Sequence, residues 1–112
     1  MTSKSEGRII LSTYPDRETA KIFAKQVVES RLAACVNLVK IESIYTWKGK
    51  LEDTDEYLAI FKTSLEAVGK LKETIRNQHP YEVPEIIEIE PRDISKSYLD
   101  WLKTSTVIPR ST

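Results

Sequence analysis

"LAACVNLVKIESIYTWKGKLEDTDEYLAIFKT", residues 32–63, decides the fold. From about residue 33 to Trp47 it is rich in β-branched and aromatic side chains, which suit a long pleated strand. "KGK", residues 48–50, is a short turn with a glycine, and a second strand follows through "EYLAIFKT" to Thr63. Two strands joined by so short a link form an antiparallel hairpin. In the second strand both parities are apolar: Tyr57, Ala59 and Phe61 on one face, Leu58 and Ile60 on the other. A sheet open to water on one side alternates more cleanly than this.

Outward from the hairpin, each flank supplies a strand and a helix. Upstream, "RIILSTYPD" begins with a strand over residues 8–13, stopped by Pro15, and Asp16 can cap the next helix. That helix, residues 17–31, carries Ala20, Phe23, Ala24, Val27 and Val28 on one stripe at helical spacing. Downstream, "TSLEAVGKLKETIRNQ" is a second helix, with Thr63 and Glu66 at capping-box spacing. Its inner stripe is Leu65, Val68, Leu71, Lys72 and Ile75, the lysine snorkelling. "VPEIIEIEP" gives a fourth strand with Pro84 at its start. "DISKSYLDWLKTS" gives a short third helix, with Ile94, Tyr98, Trp101 and Leu102 on one side, and "TVIPRST" is expected to fray.

The order β-α-β-β-α-β-α predicts an α+β, ferredoxin-like unit with an extra C-terminal helix: one antiparallel sheet with two helices on one face. The length of 112 residues fits a single domain over residues 1–112, with a core of about 8–104. The second apolar sheet face then has two candidate covers, the third helix or other copies of the chain.

Composition narrows the function. There are 17 basic and 17 acidic residues, interspersed, with no basic run longer than a pair, which argues against nucleic acid. No apolar stretch approaches the roughly 18 residues of a membrane span. The one cysteine, Cys35, forms no internal disulfide and fits the cytoplasm; in "AACVN" it reads as a packed thiol. No hydrolase nucleophile motif, phosphate loop or dinucleotide fingerprint is present, so no enzyme is predicted.

The lone imidazole, His79, lies in "NQHPYEVPEIIEIEP", residues 77–91, between a helix end and Pro80. Pro80 and Pro84 stiffen the loop, and the carbonyls of the helix C-terminus favour a cation there. His79 is therefore the foremost candidate for metal or ligand contact, and capping of the helix end is the simpler role. With Tyr81, Lys62 and Glu56 it has the residue types of a ligand pocket. Lys62, just before a helix N-terminus, suits a small anionic ligand.

The fragments "STYPD", "RLAACVNLV", "SIYTWKGKLE", "EYLAIFKT", "HPYEVPEII" and "YLDWL" follow one another over residues 9–102. In that combination the chain resembles the CutA divalent-cation tolerance proteins. The resemblance implies a compact homotrimer, similar in architecture to the PII signalling proteins, and a link to copper and other divalent cations. It also implies that Trp47, Glu56, Lys62, His79, Tyr81, Tyr98 and Trp101 gather around clefts between subunits. Some bacterial members are assigned a copper site made by a first-strand cysteine and a histidine pair. Here those positions hold Ser12 and the pair Gln78-His79, and Ile94 replaces a glycine common before the third helix.

One His, one Cys and only Met1 as thioether cannot build a recognisable copper cage in one subunit, and zinc-ligand spacing is absent. Glu56, Glu82 and Glu85 could add oxygen ligands from different subunits. The expectation is a cytoplasmic trimer that needs no obligatory cofactor and binds a divalent cation weakly at an inter-subunit cleft. A PII-like sensor of a small ligand and a protein-interaction scaffold are the alternatives.

Overall fold

The computed structural model describes residues 5–107. The elements are β1 (Gly7–Tyr14), α1 (Arg17–Glu29), β2 (Cys35–Trp47), β3 (Lys50–Ser64), α2 (Leu65–Gln78), β4 (Ile87–Ile89) and α3 (Lys96–Ser105). The four strands form one antiparallel sheet in the order β2-β3-β1-β4, as the split βαβ order requires.

The pleat sorts the sheet into two faces. Ile10, Phe61 and Val36 stand across from one another, as do Ser12, Ala59 and Leu38. Ile10, Tyr14, Ala59 and Phe61 pack in one buried cluster with Phe23 and Val27 of α1 and Val68, Leu71 and Ile75 of α2. The opposite face carries Ile9, Leu11, Leu58, Ile60, Ile87 and Ile89, none of them fully buried. α3 covers only the end of this face. A Cβ on Gly7 would run into Ile94 of the segment leading to α3, and Thr106 just past the helix holds its hydroxyl 2.8 Å from that of Ser64. The rest of the second face stays open.

The expected order stands, and several boundaries move. The capping serine of α2 is Ser64, not Thr63: its Oγ accepts from the Ala67 N–H at 3.1 Å. Thr63 is spent elsewhere, its hydroxyl donating to the Leu32 carbonyl at 2.7 Å. Asp16 caps α1 as expected, accepting from the Thr19 N–H at 2.8 Å. Val28 and Leu65, placed on inner stripes from spacing, are 40% and 42% exposed, because each lies at the margin of its stripe. On α3 the inner residues are Leu99 and Leu102, continued by Thr106 just past its end, while Tyr98 and Trp101 are exposed. Cys35 is half-buried on the open face, where Lys62 stands directly across from it. Pro84 precedes β4 by three residues rather than starting it, and β4 itself pairs only three residues with β1. Of the expected frayed tail, Thr106 is anchored, and residues 108–112 lie outside the described residues.

The turn is tighter than three residues. Trp47 pairs with Lys50, leaving Lys48 and Gly49 at φ of 51° and 79°. Positive φ at both central positions is the type I′ geometry, whose twist matches that of the strands. β1 reaches along β3 only as far as Tyr57, so beyond that point β2 and β3 continue as a two-stranded arm. The arm exposes Ile44, Tyr45, Trp47 and, at 75%, Leu51.

β4 is fastened by charge as well as by backbone. Arg8, only 5% exposed, meets Glu88 at 3.1 Å and Glu90 at 3.5 Å. Lys72 of α2 pairs with the other oxygen of Glu88 at 2.5 Å. The expected snorkelling of Lys72 thus ends on a partner, and its hydrogen bond holds the Glu88 carboxyl below its ordinary range.

Candidate functional site

An open cavity of about 1020 Å³ lies on the uncovered face where the arm leaves the sheet. Its floor is Leu11, Ile41 and Leu58, the arm adds Tyr45, Trp47 and Thr54, and the loop after α2 adds Tyr81, Glu82 and Glu85. Strand alternation explains the membership. Trp47, Tyr45, Ser43 and Ile41 share a parity in β2, and Thr54 and Glu56 of β3 stand across from Ser43 and Ile41. The sequence singled out Trp47 and Glu56; stepping by two from each would have found Tyr45 and Thr54.

Glu56 is the centre of the polar groups. It is 8% exposed, and its Oε2 accepts the Tyr81 hydroxyl at 2.7 Å. Burial, then the bond to Glu56, pushes the Tyr81 phenol up, so it remains a donor. Burial, then the charge of Glu56, pushes the Glu85 carboxyl up as well.

His79 is held from both sides. Its Nδ1 accepts from the Tyr81 N–H at 3.0 Å, and its Nε2 lies 2.9 Å from the Thr13 carbonyl. A ring nitrogen facing a carbonyl must donate, so the imidazole is the neutral Nε2–H tautomer. Burial pulls its pKa down, against the Thr13 carbonyl and the Glu56 charge, which raise it. The ring stacks on Tyr14 and does not turn back onto the carbonyls of α2; only the His79 backbone forms the C-cap. A metal at His79 would have to take a nitrogen from one of these two bonds.

The other expected site residues lie apart. Ser12 is fully buried on the helix-covered face, its Oγ without a protein partner, and Gln78 is exposed. Lys62 pairs with Ile9 and Cys35 near the far end of the open face, six residues along β3 from Glu56, which is roughly 20 Å of strand. Tyr98 and Trp101 contact each other on α3, at that same end. One chain therefore joins Trp47, Glu56 and Tyr81, sets His79 behind them, and leaves Lys62, Tyr98 and Trp101 across the face. Among the described residues no three His, Cys, Asp or Glu side chains converge as a metal site.

A split βαβ sheet with one helix-covered face, one half-open apolar face and a carboxylate-lined cavity at the root of a hairpin arm defines the class structurally. Residues 8–105 match the family described as CutA1 divalent ion tolerance protein. A divalent-cation tolerance protein CutA from Thermus thermophilus is 44% identical over 99 residues, covering 88% of this chain and 96% of that one. The crystal structure of CutA1 from Pyrococcus horikoshii is 40% identical, with a TM-score of 0.86 over 89% of this chain and 98% of that one. The periplasmic divalent cation tolerance protein CutA from Archaeoglobus fulgidus is 34% identical, with a TM-score of 0.86 over 90% and 99%. The chain belongs to the CutA1 divalent ion tolerance family.

Proposed function

We propose that the chain acts in divalent-cation tolerance as a homotrimer, binding the cation weakly and in a cleft between subunits. The observation that carries this is the open sheet face. Ile9, Leu11, Leu58 and Ile60 are incompletely covered, and Ile87 and Ile89 are 47% and 39% exposed, a row of apolar side chains that a neighbouring copy would cover. The split of the expected cleft residues to the two ends of that face supports the same reading, since only a neighbouring copy can bring the two groups together. Copper and similar ions would find oxygen donors in Glu56, Glu82 and Glu85, and His79 only at the loss of a hydrogen bond, so affinity is modest. The role is binding, not catalysis. A cytoplasmic location rests on the lone cysteine.

Light scattering at micromolar concentration tests the assembly, with three times the chain mass expected and a stable monomer against it. Growth of cells lacking and re-expressing the protein, across a copper, zinc and cobalt series, tests the role. Equal tolerance in both strains at every dose refutes it.

A further inference from the structure

We propose that His79 serves the cation site as a positioning residue rather than as a ligand: through the backbone of Tyr81 it aims the hydroxyl that holds Glu56. The inference deepens the cation-binding reading above and rests on it. One unbroken chain of hydrogen bonds carries it. The Nε2–H of His79 donates to the Thr13 carbonyl at 2.9 Å, and its Nδ1 accepts from the Tyr81 N–H at 3.0 Å. The Tyr81 hydroxyl donates to Glu56 Oε2 at 2.7 Å. Both ends of the chain lie in the sheet, since Thr13 stands across from Leu58, two residues along β3 from Glu56. The loop after α2 is thus tied to β1 through His79 and to β3 through Tyr81.

Each link is held in one direction. The imidazole packs against Tyr14 and Tyr81, with centroids 4.5 and 5.0 Å away. Pro80 fixes φ of the residue between His79 and Tyr81. A side-chain acceptor on the N–H two residues ahead has the geometry of an Asx turn, made here by an imidazole. That turn sets the direction in which the Tyr81 side chain leaves the loop. Glu56, 8% exposed, takes its orientation from the hydroxyl at the far end. Ligation by His79 would undo this. A metal on Nδ1 strips the Tyr81 N–H of its acceptor, and a metal on Nε2 strips the Thr13 carbonyl of its donor; each leaves a polar group orphaned. A group that orients a ligating carboxylate raises metal affinity without touching the metal. All of these contacts are made within one chain and need nothing from a neighbouring copy.

The first test is free of metal: a double-mutant cycle of His79→Ala and Tyr81→Phe on the full chain, read as urea midpoints in EDTA. Tyr81→Phe should lower the midpoint of the wild type and leave that of His79→Ala almost unmoved. The same drop in both backgrounds, or none in either, overturns the proposal. His79→Leu takes the place of His79→Ala should the latter fail to fold by circular dichroism. The second test is titration of the untagged chain with copper(II), followed by calorimetry and pulsed EPR. His79→Ala and Tyr81→Phe should each weaken binding about tenfold, and the two together no further. His79→Asn, whose amide oxygen can accept from the Tyr81 N–H in an Asx turn, should recover most of the loss. The spectrum should lack imidazole nitrogen coupling. Such coupling would come from His79, the one histidine of the chain, and overturns the proposal, as does a His79→Asn variant as weak as His79→Ala. A wild type that binds no copper counts against the cation reading above, and the cycle in EDTA then decides whether His79 acts through Tyr81.

Discussion

The His79 ring lies over Tyr14 with centroids 4.5 Å apart and planes 26° from parallel. With Thr13 and Tyr81 holding its two nitrogens, the imidazole is a neutral strut between the end of β1 and the loop after α2. Its folded pKa is below the ordinary 6.5, so the unfolded chain binds more protons in the window between the two values. The contribution is complete above about pH 6.5 and is lost as pH falls through the lowered folded value. Denaturant midpoints should drop between pH 7.5 and pH 5.5, and His79→Gln should flatten that part of the profile. A variant with the same slope as the wild type would show that His79 is not the titrating group.

Glu88 shows proton linkage of the same sign in a more acidic window. Lys72 and Arg8 hold its folded pKa below 4.5, so its contribution is present above that value and fades as pH falls through the folded pKa. Glu88→Ala would leave the Arg8 guanidinium buried beside only the outlying Glu90 and the carbonyls of Ser5 and Gly7. The expected loss is about 2 kcal/mol at neutral pH, read from urea unfolding. Arg8→Met, which removes the buried charge, should be milder than Glu88→Ala.

At the tip of the arm the two positive-φ residues differ in tolerance. Gly49→Ala should destabilise by about 1 kcal/mol, since an alanine at φ of 79° is strained. Lys48→Asn should stabilise by about 0.5 kcal/mol, asparagine being the favoured partner of glycine in this turn. Thermal melts of the two variants should move in opposite directions.

Ser64 closes α2 and meets Thr106 with a single hydroxyl. Ser64→Ala should cost about 1–2 kcal/mol, because an N-cap is lost in a buried setting. Ser64→Thr should recover part of it. A change near zero would mean that backbone geometry alone holds the helix start.

The element order, the hairpin and both helix stripes were legible because each is local: period two against period three to four, a glycine in the turn, an aspartate before α1. The cap of α2 misled because Thr63 and Ser64 offer the same chemistry one residue apart, and only the Leu32 carbonyl across the sheet separates them. Of the cavity, Trp47, Glu56 and Tyr81 were found from the sequence and its resemblance. Lys62, Tyr98 and Trp101 were grouped with them, and the chain puts those three at the other end of the face. The sequence around His79 points to a metal or ligand contact, or more simply to a cap of the helix end, because nothing in its neighbours announces the Thr13 carbonyl, which β1 brings from 66 residues away.

The central position of β1 also sets an order in time. β2 and β3 zip from a two-residue turn, so their ladder can close within microseconds of collapse. β1 must then find β3 across a helix and a whole strand, and Ile9 must find Ile89 across most of the chain. The sheet therefore grows from the β2 edge toward β4, whose three paired residues are the last to zip and the first to open. Amide protons of β4 should exchange ahead of those of β3, a gradient running across the sheet rather than along it.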